Sequence, residues 1–182
     1  GVNISNIGSK ISYTETTERD FIPINLRFGP TLTFDIDEYN TLSVMMDFNK
    51  LLVPTPPVYQ VDSNNLPVIN PSTGKPVILA GKDPNVSIVS GIFQSFGDAP
   101  GGFKEETKEV TVSTGIEYWY DKQFAIRTGF FYEHASKGNR KFFTLGAGLK
   151  YNVFGLDFAY LIPLEHRNPL ENTLRFTLLF DF

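Results

Sequence analysis

The chain has 182 residues, a formal net charge of −4 and no cysteine, and its length favours a single domain. The lack of cysteine excludes disulfides and thiolate metal sites, and the mild, dispersed charge excludes the basic stripe typical of a nucleic-acid-binding protein. No run approaches the ~20 apolar residues that a membrane-spanning helix needs. The sequence opens directly into a strand-like pattern without a signal peptide, which predicts a processed protein or a fragment of a longer one.

Alternation of apolar and polar residues with period two predicts strands in the N-terminal third. The opening run has apolar residues on even positions up to Ile4 and on odd positions from Ile7. This phase slip near residues 6–8 predicts a bulge or kink. Two further strands are predicted at residues 24–36 and 41–53, and Pro30 predicts a local irregularity in the first of them because it removes a ladder donor.

Residues 54–104 interrupt the strand pattern. The first half is rich in proline, which excludes a regular strand or helix there. The second half predicts a short helix over residues 84–96, with Asp83 as its N-cap and Gly97 as its stop. The apolar side of this helix either plugs a barrel mouth or presents a docking ridge to another protein. It consists of Val86, Val89, Ile92, Phe93 and Phe96.

Five more strands are predicted after residue 109, which gives eight in all. Short turns and long loops alternate along the chain, as in bacterial outer-membrane barrels, whose short turns are periplasmic. The pattern predicts an all-β fold, an antiparallel transmembrane β-barrel with a periplasmic C-terminus. Residues 1–182 then form one barrel domain, with 54–104 as an inserted extracellular loop that contains the short helix.

A soluble, lipocalin-like barrel would alternate in the same way but turn its apolar side inward. Three features favour the membrane protein: small residues on the polar face at strand centres, strictly alternating loop lengths, and aromatic residues near strand ends, as in an interfacial girdle. The girdle residues are Tyr13, Tyr118, Trp119, Tyr120, Tyr132, Tyr151 and Tyr160.

The polar face of the predicted strands carries charges of both signs. Mutual pairing and water can hold such charges inside a barrel, and Glu117 and Arg127 on hairpin-connected strands fit that arrangement; the alternative is a selective transport path. The predicted lumen charges are Arg27, Asp35, Asp47, Glu117, Arg127, Lys150, Asp157 and Arg175, with Glu133 at a strand end.

One short motif suggests chemistry. Glu133, His134 and Ser136 resemble the His-x-Ser pair of outer-membrane lipid A deacylases, whose barrels also have eight strands. The following strand offers no carboxylate on that face to orient the imidazole, so the motif predicts an ordinary loop-end histidine. We therefore expect no enzyme, no cofactor and no metal site.

Three stretches carry a family resemblance. Residues 6–8 within ISNIGSKISYT, the run from Glu133 to Pro163 and the run from Asn168 to Phe182 resemble PorV, the outer-membrane barrel of the Bacteroidota type IX secretion system, within the wider FadL-like group. The resemblance covers the whole chain and is most specific from Glu133 onward. It implies a barrel of fourteen strands, so that these eight are its C-terminal part, whereas eight strands alone are an even number and could close by themselves.

The resemblance also implies partners. Such a protein receives the C-terminal domains of secreted cargo from a SprA/Sov-type translocon and passes them to a PorU-type sortase complex at the cell surface, with loops 54–104 and 163–170 as contacts. A second hypothesis is a FadL-like transporter of hydrophobic molecules, with the phase slip at residues 6–8 as an opening in its wall. A third is the lipid-modifying hydrolase centred on His134 and Ser136.

Overall fold

The computed structural model describes residues 1–12, 19–164 and 173–180. It confirms an all-β, antiparallel fold. The chain divides into two compact units. We call residues 1–2, 27–49 and 111–182 the sheet unit, and residues 3–26 and 50–110 the loop unit. Among the described residues, none of the helices combines the length and the apolar character needed to cross a membrane.

The strands are short at the N-terminus and long in the C-terminal half. They are β1 (Val2–Ser5), β2 (Asn25–Phe28), β3 (Thr31–Asp35), β4 (Asn40–Leu51), β5 (Val58–Tyr59), β6 (Ile78–Ala80), β7 (Thr111–Tyr120), β8 (Phe124–Tyr132), β9 (Lys141–Tyr151), β10 (Phe154–Pro163) and β11 (Leu174–Phe180). The helices are α1 (Ile88–Gln94) and α2 (Phe103–Glu106), and 3-10 turns cover Thr107–Glu109 and Ala135–Lys137.

The main sheet follows the order of the chain. Its strands lie in the order β1-β2-β4-β7-β8-β9-β10-β11, and β3 also pairs with β4. Since β2 and β3 are separated only by Gly29 and Pro30, they correspond to one predicted strand with a break, and all eight predicted strands are found as successive neighbours. Among the described residues, β1 and β11 are the ends of the sheet, which does not close.

The break between β2 and β3 confirms the irregularity predicted at Pro30. A Cβ atom on Gly29 would lie 1.9 Å from the carbonyl oxygen of Met46, so this backbone approach requires glycine. Pro30 has no N–H, but its carbonyl accepts a hydrogen bond from the Met46 N–H at 3.1 Å. The strand therefore deviates at one point and then resumes its pairing with β4.

Tight turns join β3 to β4, β7 to β8 and β9 to β10. In the first, one carboxylate oxygen of Asp37 accepts the N–H groups of Tyr39 and Asn40 at 2.8 and 2.9 Å, an arrangement that fixes a turn. In the other two, Asp121, Lys122 and Asn152 have φ of 52°, 53° and 53°. Residues 14–18 of the predicted loop 14–23 and residues 165–170 of the predicted loop 163–170 lie outside the described residues.

Register places the large apolar side chains of the sheet unit on one face. Leu156 is opposite Leu178 and Phe158 is opposite Phe176, and the rings of the second pair are 5.4 Å apart. This apolar face remains exposed, and Phe176 keeps 71 % of its surface accessible. Of the described residues of the sheet unit, only Ala125 and Leu161 are buried hydrophobics, so the unit has almost no core of its own.

The girdle prediction is wrong at one residue. Trp119 lies opposite Ala125 in the register, and the guanidinium of Arg127 lies 5.3 Å from its ring centroid. Trp119 therefore belongs to the polar face, because its odd position alternates with those of Tyr118 and Tyr120. Tyr13 lies outside the described residues.

The loop unit has its own small core. Ile24 and Leu52 are almost completely buried, and the Leu52 N–H donates to the Ile24 carbonyl at 2.8 Å. Helix α1 packs closely at Gly91, where a Cβ atom would lie 2.6 Å from the ring of Phe21. The predicted irregularity near residues 6–8 is confirmed, since β1 ends at Ser5 and Asn6 has a φ of 58°.

Two predictions for residues 54–104 need correction. The helix is shorter than predicted and its N-cap is Ser87, whose hydroxyl accepts the Ser90 N–H at 3.2 Å; Asp83 instead accepts the Asn85 N–H at 2.8 Å. The proline-rich half contains the short strands β5 and β6 and two further bridges at Pro67 and Pro76. Proline is tolerated there because these pairs are isolated or at an edge.

Candidate functional surfaces

The polar face of the sheet unit centres on one three-residue charge cluster. Arg127 on β8 donates from Nε to Glu117 on β7 and from Nη1 to Asp157 on β10. Glu117 is directly opposite Arg127 in the register, so alternation alone predicted this pair. Asp157 is two strands away and is reached across β9, which the sequence did not indicate.

A glycine makes the longer contact possible. Gly148 on β9 is opposite both Ala125 and Asp157, and a Cβ atom there would lie 2.7 Å from Asp157 Oδ1 and 2.8 Å from Arg127 Nη1. Any larger side chain would occupy the space in which the ion pair forms. The small residues of the polar face thus have a structural role, namely to leave room for charged side chains that cross a strand.

The other predicted lumen charges lie on the same face but do not join this cluster in the contacts described. Asp35 accepts a hydrogen bond from the Thr41 hydroxyl at 3.2 Å, and Asp47 is opposite Ser113. Lys150 and Arg175 are opposite Gly155 and Ala159. The ring of Phe28 stacks at 5.4 Å on that of Phe48 on the apolar face. Arg27 is its neighbour in the strand and therefore lies on the polar face.

An aromatic pair also lies on the polar face, and sequence reasoning missed it. Phe131 and Phe142 are directly opposite in the register of β8 and β9, and their rings stack at 4.8 Å with an interplanar angle of 8°. The guanidinium of Arg140 lies 5.6 Å from the Phe131 ring. The parity of the two positions could have revealed the pair. Phe131 is odd-numbered, whereas the apolar face of β8 has even numbers such as Phe130. Phe142 is even-numbered, whereas the apolar face of β9 has odd numbers such as Phe143.

The loop between β8 and β9 is held together by one buried carboxylate. Glu133 accepts from Arg140 Nε and Nη2, both at 2.8 Å, in the two-pronged geometry that guanidinium and carboxylate favour. The Arg140 hydrogen bond is the main reason that the pKa of Glu133 lies below its ordinary value. Gly138 passes so close that a Cβ atom would lie 2.2 Å from Glu133 Oε2.

The His-x-Ser motif of this loop is a helix cap. His134 Nδ1 lies 2.9 Å from the Ser136 hydroxyl and accepts the Ser136 N–H at 3.2 Å, as the N-cap of the Ala135–Lys137 turn. The neighbouring carboxylate of Glu133 is engaged by Arg140. A hydrolase triad needs a group that orients the imidazole, and the nearest candidate in sequence serves the loop instead.

In the loop unit, the residues of the predicted apolar side of the helix differ in exposure. Val89, Phe93 and Phe96 are exposed, with Phe93 at 74 %, whereas Val86 and Ile92 are half-buried. Phe103 at the start of α2 is 83 % exposed. We call these four exposed residues, Val89 and the phenylalanines Phe93, Phe96 and Phe103, the aromatic ridge. Exposed apolar groups of this size are typical of contact surfaces.

The interior of the loop unit is charged, which the sequence did not predict. Lys50 Nζ lies 3.1 Å from Glu106 Oε2 and 2.7 Å from Glu109 Oε2. The other oxygen of Glu106 accepts the N–H groups of Asp98 and Ala99, both at 2.8 Å. One lysine and one glutamate therefore link β4 to the segment that precedes α2.

Asp98 completes this network. Its Oδ2 accepts the Thr55 N–H at 3.1 Å, whereas its Oδ1 is buried without a hydrogen-bond partner among the described residues. Burial raises the pKa of the Asp98 carboxyl above its ordinary value, and the hydrogen bonds from Thr55 oppose part of that rise. In the described part of the chain, no group of three or more His, Cys, Asp or Glu side chains is placed so that it could hold a metal ion.

Comparison with known proteins gives one family model that matches part of the chain. No curated protein matches the chain. The model of the family described as "Type IX secretion system protein PorV" matches residues 1–58, which run from β1 into the start of the proline-rich segment. The resemblance was most specific from Glu133 onward, and that part stays a prediction. Residues 1–58 are therefore similar to the PorV family, in agreement with the resemblance over that part of the chain.

Proposed function

We propose that this chain is part of an outer-membrane β-barrel that serves the type IX secretion system by binding cargo proteins and passing them on, without chemistry of its own. The observation that carries the proposal is the match of residues 1–58 to the PorV family. The exposed apolar face of the sheet unit supports it, because such a face is stable against hydrocarbon and costly against water. Among the described residues the sheet does not close, which fits the larger barrel that the resemblance implies.

The polar face then lines a wet interior. Arg127 between Glu117 and Asp157 is a paired cluster rather than a free cation, and mutual pairing is how barrels hold charges in their lumen. Gly148 leaves the space in which these side chains pair. This arrangement supports a structural lumen more than a charge-selective path.

The aromatic ridge of the loop unit is the best candidate for partner contact. Its four residues are apolar and strongly exposed, and helix α1 has no acidic residue in its first turn and no basic residue in its last. Aromatic residues are enriched at the energetic centres of protein interfaces. We assign this ridge to the translocon and the C-terminal domains of cargo, and the PorU-type sortase complex to the next step of the transfer.

The experiment replaces Phe93 and Phe96 together by Ser in the full-length protein. We expect cargo to accumulate inside the cell and the translocon to be lost from the purified complex, while the barrel stays heat-modifiable on a gel. The matched control replaces Leu66 and Ile69, which are exposed apolar residues of the proline-rich half. Normal secretion by the ridge variant, or equal loss in the control, would contradict the assignment.

The FadL-like transporter is the second candidate, because β1 ends after four residues and Asn6 takes a left-handed conformation. A break in a wall strand frees backbone groups and can open a lateral path. Uptake of a labelled fatty acid by cells that express the protein, compared with cells that lack it, tests this candidate. Equal uptake would eliminate it.

A further inference from the structure

The apolar face of the sheet unit contains a groove of about 450 Å³. Thr114 on β7 and Thr128 on β8 line the groove, and most of its other side chains are large and apolar. Sites for small molecules have volumes of this order and combine an apolar lining with a few polar groups. The walls include Leu32, Val44, Met46, Ile116, Phe130 and Phe143.

Register explains why the two threonines form the floor of the groove. Thr114 lies opposite Met46 on one side and Phe130 on the other. Thr128 lies opposite Ile116. Side chains that are directly opposite in an antiparallel pair project from the same face, so both threonines belong to the apolar face. Each is shorter than the side chains beside it, and the surface is therefore lower at these two positions.

The groove lies toward the end of the sheet at which β8 stops. Tyr132 is the last residue of β8, and in the proposed function its ring lies at the membrane–water boundary. Thr114 is level with Phe130, two residues from Tyr132, and Thr128 is four residues from it. These steps correspond to about 7 Å and about 14 Å along the strand, and to less in depth because membrane strands are tilted.

Both hydroxyls therefore lie in the half of the hydrocarbon layer next to that boundary, since the apolar band of such barrels is roughly 25 Å tall. In the described part of the chain, neither threonine hydroxyl has a hydrogen-bond partner. A hydroxyl group that faces hydrocarbon without a hydrogen bond is unfavourable. A ligand that fills the groove and also offers a hydrogen-bonding group at this depth satisfies both requirements.

The chemistry of the groove selects one kind of ligand. A plain acyl chain fits the apolar walls but offers the threonines no hydrogen bond. An acyl chain with a hydroxyl group near its ester end offers one, because a hydroxyl both donates and accepts. That hydroxyl lies a short distance below the headgroup, as Thr114 does below Tyr132. The groove runs along the apolar face, so the headgroup of a membrane lipid stays at the boundary while the chain occupies the groove.

We propose that this groove binds one acyl chain of a membrane lipid, and that the chain carries a hydroxyl group near its ester end. Thr114 and Thr128 form hydrogen bonds with that hydroxyl, and Ile116 and Phe130 contact the rest of the chain. This inference rests on the proposed function, because it requires the apolar face to contact lipid. It adds the class of lipid and the residues that select it.

The test uses the full-length protein in uncharged detergent micelles and two phosphatidylethanolamines that differ only in their chains, 3-hydroxymyristoyl or myristoyl. Native mass spectrometry measures the fraction of protein that carries each lipid. We expect the wild-type protein to bind the hydroxylated lipid more tightly, on the order of five-fold, which is the effect of about one net hydrogen bond. The double variant Thr114→Val, Thr128→Val keeps the size of both side chains and should abolish this preference.

Two further variants separate the hydroxyl groups from the shape of the groove. Thr144→Val is the matched control, because Thr144 lies opposite Gly129 on the polar face; it should keep the preference for the hydroxylated lipid. Thr128→Leu fills the groove and should weaken the binding of both lipids. Heat-modifiability on a gel shows that each variant is folded.

Four results would overturn the inference: equal binding of the two lipids by the wild-type protein, a preference that persists in the double valine variant, an equal loss in Thr144→Val, or full competition by free 3-hydroxymyristic acid at the concentration of the lipid. A wild-type protein that inserts into bilayers but ignores the chain hydroxyl refutes only the groove site. A wild-type protein that never enters a bilayer refutes the proposed function as well.

Discussion

The two units differ in which residues they expose and which they bury. The sheet unit exposes leucines and phenylalanines such as Phe176 and Leu178, and buries few hydrophobics among its described residues. The loop unit keeps Lys50, Asp98 and Glu106 inside, each less than 8 % exposed. An exposed apolar face is stable only where the surroundings are hydrocarbon, whereas buried charges must be paired within the protein. The difference fits the proposed function, in which the apolar face of the sheet unit contacts lipid and the loop unit contacts water.

The largest effect should come from the interior of the loop unit. Lys50→Met leaves Glu106 and Glu109 without their cation, and loss of one partner of a buried ion pair costs about 3–5 kcal/mol. We expect the loop unit to become sensitive to protease while the barrel remains heat-modifiable. Lys104→Met is the control, since Lys104 is exposed and surface changes are usually within about 0.5 kcal/mol. Equal behaviour of the two variants would show that the network contributes little.

The apolar face should give the next largest effect, and only in lipid. Leu178→Lys puts a charge on the face that we assign to hydrocarbon, where the cost is about 2–4 kcal/mol near the midplane. Thr177→Lys is its matched control one residue away, because Thr177 is opposite Asp157 on the polar face. Urea titration in lipid vesicles measures the free energy of unfolding. A larger loss for Thr177→Lys would reverse the assignment of the two faces.

The polar face should respond to loss of space. Gly148→Ala inserts a methyl group between Arg127 and Asp157, and overfilling a packed site costs about 1–3 kcal/mol. Ala147→Val is the control, because Ala147 is exposed on the other face. The free energy of unfolding in vesicles again provides the measurement. If Gly148→Ala and Ala147→Val lowered the free energy of unfolding equally, the cluster would not constrain the residue at position 148.

The smallest effects concern pH and have opposite signs. Because burial raises the folded pKa of Asp98, the loop unit should gain stability as pH falls through that raised pKa and lose it as pH rises. Because Arg140 lowers the folded pKa of Glu133, its stabilising contribution is present above the ordinary glutamate pKa and is lost as pH falls through the lowered one.

Hydrogen exchange at several pH values, residue by residue, checks both signs. Asp98→Asn should reduce the pH dependence of protection in the loop unit, and Glu133→Gln should reduce it in the hairpin of residues 133–140. If either variant kept the pH dependence of protection unchanged, the carboxyl that it replaces would not contribute to the pH dependence of stability.

The sequence predicted the sheet well, because each strand repeats the same two-residue alternation and each turn has residues that adopt its geometry. The eight strands, the break at Pro30 and the Glu117–Arg127 pair all follow from local pattern. The contact of Arg127 with Asp157 did not, because it depends on a glycine in a strand between them. Trp119 was misassigned since proximity to a strand end was weighed above parity.

The loop unit could be predicted only in part. A helix was expected, but its N-cap is Ser87 and not Asp83, because both residue types can cap and it is the Ser87 hydroxyl that accepts the Ser90 N–H. The network of Lys50, Asp98 and Glu106 left no signal in the sequence. Its members are far apart along the chain and have no periodicity, so only the folded backbone brings them together.

The most direct test of the account measures which face meets lipid. Spin labels placed singly at positions 154 to 158 of β10 in the full-length protein, reconstituted in a bilayer, report accessibility to oxygen and to a water-soluble nickel chelate. We predict that labels at Phe154, Leu156 and Phe158 are accessible to oxygen, and that labels at Gly155 and Asp157 are accessible to the chelate. The opposite alternation, or equal access to the chelate at all five positions, would contradict a lipid-facing apolar surface.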